Sequence, residues 1–280
     1  MVLDNSLAAE VRRYREGMAR SLANLAGMVA ETERSLSAQG LDLDSIDLES
    51  ELTSEKARRM HCTTCGLLLR KGKIHMVGAY RANETDNLHS LAVQMRPVLE
   101  CAGQAHDMGL IAMGGLEHGG KKALARLDTY YSDTMLRVTK GSVSKHQLFS
   151  QIAEMRKEFG MDGVKPKSFR HESKAESLRD GKVWYHLLGK YFCGTESVFE
   201  GLPSQGSVAL RNPVWDNFTF AEFMAYLVEQ AAKMNMSGTI LAEGSWTTAV
   251  QNAVDQIRNT IDDISGFRER ISEEIEGHGQ

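Results

Sequence analysis

Apolar residues recur at intervals of three, four or seven along most of the chain, and this periodicity restricts the fold more than any other feature. Leu7, Val11, Tyr14, Met18, Leu22, Leu25, Val29 and Leu36 form the first stripe. In an α-helix such spacings put side chains on one face, whereas a strand alternates them. The stripe predicts a helix over about residues 5 to 37. The same pattern predicts helices over about 53 to 81, 88 to 116, 121 to 138, 144 to 159, 175 to 192, 218 to 236 and 246 to 275. Only 4 prolines interrupt 280 residues, which permits helices of this length. Pro97 falls inside the third, so a kink or local break is expected near residues 93 to 97. The stretch from Cys193 to Asn217 reads as the longest loop.

The expected fold is therefore all-α, a helical bundle of about seven or eight helices with long N- and C-terminal helices. It reads as one domain over 1–280, with the first long helix over 1–37, a bundle core over 50–240 and the last long helix over 246–276. Val250, Val254, Ile257, Ile261, Ile264, Ile271 and Ile275 keep near-heptad spacing. The two terminal helices are expected to pair with each other or to build a homodimer.

With 42% apolar and 25% charged residues, the chain has globular rather than disordered composition. No apolar run approaches the roughly 18 residues of a membrane span. Residues Met1 to Glu10 lack an apolar signal region. The four cysteines are too few for a disulfide scaffold. These features predict a cytoplasmic protein with no membrane partner.

The net charge of −4 is unevenly spread. Residues 1–136 carry 16 basic and 18 acidic groups, residues 137–190 carry 12 and 6, and residues 191–280 carry 5 and 13. A +6 segment beside a −8 segment fits mutual neutralisation, with RNA as the alternative partner of segment 137–190.

Four constellations carry candidate chemistry. His61-Cys62-Thr-Thr-Cys65 has thiols and an imidazole, but Cys62, Cys65, Leu69, Gly72, Met76 and Tyr80 form an apolar stripe. No second ligand pair is present, so core packing is favoured over a metal or redox site. Gly115 to Lys122 approaches a phosphate-binding loop, yet Lys122 stands where the magnesium-binding hydroxyl is needed. No metal or cofactor is assigned. His89, Arg96, Glu100 and Asp107 fall on neighbouring positions of one helix and are candidate ligand-binding residues beside the proline.

The fourth is Arg179-Asp180-Gly-Lys-Val-Trp-Tyr-His186, whose spacing resembles the R-x(4–6)-H motif of HEPN-type helical ribonucleases. The resemblance implies metal-independent RNA cleavage by the 2′-OH, with His186 as acid or base, Arg179 on the phosphate and Asp180 as the polar neighbour. About two such spacings arise by chance in a chain with 19 Arg and 9 His. Arg70 to His75 is a second one.

The segment from Leu88 to Ala102, with Arg96 and Glu100, resembles the signature helix of a group of uncharacterised all-helical bacterial proteins. In that group an Arg-x-x-x-Glu helix precedes a Tyr-x-x-Leu-Ser/Gly segment, which Tyr185, Leu188 and Gly189 match here. The group's downstream His is replaced by the Cys193-Gly194-Thr195 region. The resemblance implies an all-α fold over about residues 50 to 240 and brings no activity with it. The leading expectation is a non-enzymatic helical interaction or scaffold protein. The alternatives are a HEPN-like RNase of a defence or toxin system and a small-ligand-binding bundle around Arg96 and Glu100.

Overall fold

The computed structural model describes residues 5–38, 54–113, 154, 157, 175, 177–189, 213–243 and 247–277. Among the described residues the chain is helical, with no strand. The helices are α1 (Asn5–Ala38), α2 (Ser54–Glu84), α3 (Leu88–Met113), α4 (Gly181–Leu187), α5 (Pro213–Glu243) and α6 (Thr248–Gly277). The helices expected over 121–138 and 144–159 and the glycine-rich segment 115–122 lie outside the described residues, apart from exposed Glu154 and Lys157. None of the described helices is long and apolar enough to cross a membrane.

The organising element is α5. From Phe220 to Ser237 every residue is buried except Glu222, Lys233 and Met236, which are half-buried. A helix apolar on all sides must be covered on all sides. Around it, α1, α2 and α3 close a four-helix core, each in contact with its neighbours, and α6 covers the remaining side of α5. Leu22, Leu69, Met95, Leu99 and Met234 are completely buried at its centre.

Contacts along the helices give their directions. Arg15 of α1 meets Asn83 near the end of α2 and Asn217 near the start of α5. Thr32 of α1 meets Asn235 of α5. Thus α1 and α5 run parallel and α2 runs against both. Helix α3 returns from α2 through a tight turn in which Asp86 takes φ 53°, and the Asn87 side chain caps α3 by accepting from the Ser90 amide at 2.8 Å.

The terminal helices pair with each other only in part. They meet through the stacked rings of Tyr14 and Phe267, through Gln256 against Met28, and through Arg270 against Glu10. Each packs chiefly on α5. The demand of α5 for apolar cover outweighs heptad pairing between α1 and α6.

Several boundaries also differ from expectation. Pro213 opens α5 rather than lying in a loop, because the first helical position needs no amide proton. Helix α3 continues through Pro97 without a break. The helix expected from residue 175 begins only at Gly181. Asp180 before it is left-handed, at φ 55° and ψ 12°, and a side chain at position 181 would strike the Ala175 carbonyl. At Gly238, a Cβ would lie 2.5 Å from Leu69 Cδ1 and 2.9 Å from Thr32 Cγ2, so glycine allows α1, α2 and α5 to approach closely.

Candidate functional site

Residues 175 and 177–189 lie across the groove between α3 and α5, and they bring both sequence candidates to one surface. On α3, Arg96, Glu100, Gly103 and Asp107 recur at spacings of four, three and four. On α5, Glu222, Tyr226, Glu229 and Lys233 recur in the same way. The segment fastens to both stripes.

Its attachment to α3 centres on Tyr185. Arg96 donates from Nη2 to the Tyr185 hydroxyl at 2.5 Å, and that hydroxyl donates to Glu100 Oε1 at 3.1 Å. The Arg96 guanidinium lies 4.4 Å from the centre of the Tyr185 ring, a cation–π contact. Arg96 and Glu100 also form an ion pair at 3.8 Å. Burial raises the Tyr185 pKa, Arg96 opposes the rise, and Glu100 adds to it. One turn further along, Ser177 Oγ donates to the Gly103 carbonyl at 2.8 Å.

The attachment to α5 centres on Glu229, whose side chain is 2% exposed. It accepts from Arg179 Nη2 at 2.7 Å and from Lys233 Nζ at 2.8 Å. A buried carboxylate needs such partners, since its desolvation cost is several kcal/mol. The Tyr226 hydroxyl donates to the Arg179 carbonyl at 2.8 Å, and Trp184 stacks on Tyr226 with centroids 4.5 Å apart. Burial, Glu229 and Asp180 push the Tyr226 pKa up. Beside Lys233, the Nδ1 atom of His106 is buried without a hydrogen bond to any described residue. Burial and then Lys233 lower the His106 pKa.

The sequence candidates thus separate. Arg96, Glu100 and Arg179 are brought onto the groove, and Asp107 is half-buried on the same stripe. His89 is exposed about 27 Å from Asp107 along α3, so these two do not share a site. Asp180 and His186 are exposed at the two ends of α4. Tyr185 entered the sequence reading only through a resemblance, and Glu229, Lys233 and Tyr226 were missed. The available signal was an acid and a base four residues apart in the most apolar of the described helices.

The cysteine stripe is buried. Cys62 is 5% and Cys65 0% exposed, and His61 Nε2 lies 3.3 Å from the Met108 carbonyl oxygen. Burial, with Cys62 adding to it, drives the Cys65 thiol pKa up, which suppresses thiolate chemistry. Among the described residues no three His, Cys, Asp or Glu side chains converge as a metal site. No family model, curated protein or solved structure matches the chain.

Proposed function

We propose that this chain is a non-enzymatic helical interaction protein. Its docking face is the outer side of the α2–α3 hairpin, and a second copy of the chain is its first partner. The supporting observation is the exposure of Ile74 at 62%, Val77 at 40% and Val93 at 41%. They flank the contact between His75 and Gln94 that joins the two helices. The polar candidates, in contrast, are engaged inside the chain: Arg96 by Tyr185, and Arg179 by Glu229. The terminal helices present charge outwards, with Arg12, Arg13, Glu16, Asp262, Asp263 and Glu269 exposed. The homodimer therefore fits the hairpin better than the long helices. Sedimentation equilibrium is expected to show a dimer that Ile74→Asp converts to monomer. A wild-type monomer at all concentrations overturns this.

The HEPN-like RNase is the second reading, favoured by the exposure of His186 and by the 51% exposure of the Arg179 side chain. RNA would then meet the basic segment 137–190. Mixed single-stranded RNA incubated without metal is expected to stay intact. Cleavage that His186→Ala abolishes would replace the interaction reading with this one. A ligand site at Arg96 and Glu100 would instead require a molecule to displace the Tyr185 hydroxyl from both.

A further inference from the structure

A cavity of about 620 Å³ opens where the start of α1, the end of α2 and the start of α5 converge. Its floor is Arg15, which is only 8% exposed. Arg15 donates to the Asn83 side chain at 2.7 Å, the Asn217 side chain at 2.7 Å, the Asn83 carbonyl at 2.5 Å and Asp86 at 2.6 Å. The guanidinium also lies 3.9 Å from the centre of the Phe220 ring. Bonds to α2, to α5 and to the turn after α2 thus fix the floor in place.

Three arginines and three carboxylates surround the cavity, so its charges cancel in number but not in place. Arg12, Glu16 and Arg20 line it from α1, and Glu84 and Asp86 line it from the end of α2 and the turn that follows. Asp86 is paired with Arg15 of the floor at 2.6 Å. The α1 wall is left with two positive charges around one negative, and the opposite wall with the carboxylate of Glu84. That carboxylate accepts from the Tyr80 hydroxyl and keeps its charge. Arg12, Glu16 and Arg20 are exposed and form no ion pair with a described residue, although they stand at helical spacings of four. Helices α1 and α2 run antiparallel, with Arg15 meeting Asn83 and Asp86. Glu16 therefore stands at about the level of Glu84, and Arg20 one turn away at about the level of Tyr80.

We propose that this cleft binds a small zwitterion, an α-amino acid with a large apolar side chain. Its ammonium group lies between the carboxylates of Glu16 and Glu84. Its carboxylate lies on the Arg20 guanidinium, about 6 Å further along α1, a group that matches carboxylate oxygens in geometry as well as charge. A ligand of one sign fits worse: an anion on the α1 wall meets Glu16, and a dication meets Arg12 and Arg20. A molecule with both charges satisfies the cleft without leaving a net charge behind. The Tyr80 ring and the Ala19 methyl group line the same end as Arg20 and offer an apolar surface to the ligand's side chain. The volume lies within the range of small-molecule sites and leaves room for a side chain of aromatic size. This site shares no residue with the hairpin face or the α4 groove, so it stands or falls independently of them.

The test is thermal unfolding of the full chain with phenylalanine, N-acetylphenylalanine, phenylalanine amide or glycine at matched ionic strength. Phenylalanine, which carries both charges and a large side chain, is expected to raise Tm. The acetyl compound lacks the ammonium and the amide lacks the carboxylate, and both are expected to leave Tm unchanged. Glycine keeps both charges without the side chain and is expected to raise Tm less. Glu84→Gln and Arg20→Gln change exposed side chains, so each is expected to keep the unliganded Tm and to bind phenylalanine at least tenfold more weakly by calorimetry. Arg13→Gln, on α1 but outside the cavity, is expected to bind as the wild type does. The proposal is overturned by no shift with phenylalanine, by equal shifts with the acetyl compound, the amide or glycine, or by undiminished binding in either cavity variant.

Discussion

Glu229 accepts a hydrogen bond from Arg179 at 2.7 Å across a separation of 50 residues, and the acid is buried while the base is half in solvent. The two ends of this bond are therefore unequal. Removing the buried end leaves Lys233, itself only 17% exposed, without its carboxylate. Removing the exposed end leaves Glu229 with Lys233 still in place.

Glu229→Ala is accordingly expected to destabilise the protein by about 3 kcal/mol. Arg179→Ala is expected to cost about 1 kcal/mol, because solvent already screens that side chain. Urea unfolding of the two variants checks the order. A loss as large for Arg179 as for Glu229 would show that the carboxylate depends on Arg179 alone.

At Tyr185 a single hydroxyl serves Arg96 and Glu100, and the ring serves Arg96 a second time. Tyr185→Phe keeps the ring and removes both hydrogen bonds. A loss of about 1 to 2 kcal/mol is expected. In Arg96→Ala the cation–π contact goes as well, and the loss should be larger. The double variant should lose less than the sum of the two, since they share one interaction. Additive losses would show that the hydroxyl and guanidinium act separately.

The sequence disclosed the helices whose apolar residues lie on one stripe. Helix α1 was expected over 5 to 37 and spans Asn5–Ala38. Helix α5 was foreseen over 218 to 236 but reaches from Pro213 to Glu243. Being buried all round, it has no periodicity to mark its ends. The candidate site was half legible for a similar reason. Arg96 and Glu100 share one helix and can be paired by counting residues. Tyr185 and Glu229 reach the groove through tertiary contacts that no local spacing encodes. Arg15 was wholly hidden, since on a helical wheel it is one more charge among Arg12, Arg13, Glu16 and Arg20.

Gly238 tests how tightly the core helices are held. The atoms that a Cβ would meet belong to Leu69, which is completely buried, and to Thr32. Leu69 has no open space into which to retreat, and Thr32 is half-buried. Gly238→Ala is expected to destabilise by about 1 to 3 kcal/mol despite the better helix propensity of alanine. Gly17→Ala, where no atom lies within 4 Å of the new Cβ, is expected to be neutral or slightly stabilising. Equal effects at the two positions, measured by chemical denaturation, would mean that the α1–α2–α5 crossing relaxes freely.

Tyr14 joins α1 to α6 by stacking on Phe267 with centroids 3.4 Å apart, yet its buried hydroxyl has no hydrogen-bond partner among the described residues. Burial, and then the Glu222 carboxylate, raise its pKa above the ordinary value of 10.0. In the unfolded chain the phenol ionises near that ordinary value, while in the fold it stays protonated to higher pH. Above pH 10 the unfolded state therefore binds fewer protons than the native state, and stability falls as pH rises. Below that pH the raised pKa leaves stability level. Tyr14→Phe keeps the stack, removes the unpartnered hydroxyl and removes this titration. It is expected to stabilise the protein by about 1 kcal/mol at pH 7. It should also make the alkaline loss shallower without abolishing it, because the Tyr185 and Tyr226 pKa values are raised as well. Urea unfolding of wild type and variant at pH 7 and at increasing pH above 10 separates the two effects. A destabilised variant at pH 7 would show that the hydroxyl is bonded in solution, and an unchanged alkaline slope would place the titration elsewhere.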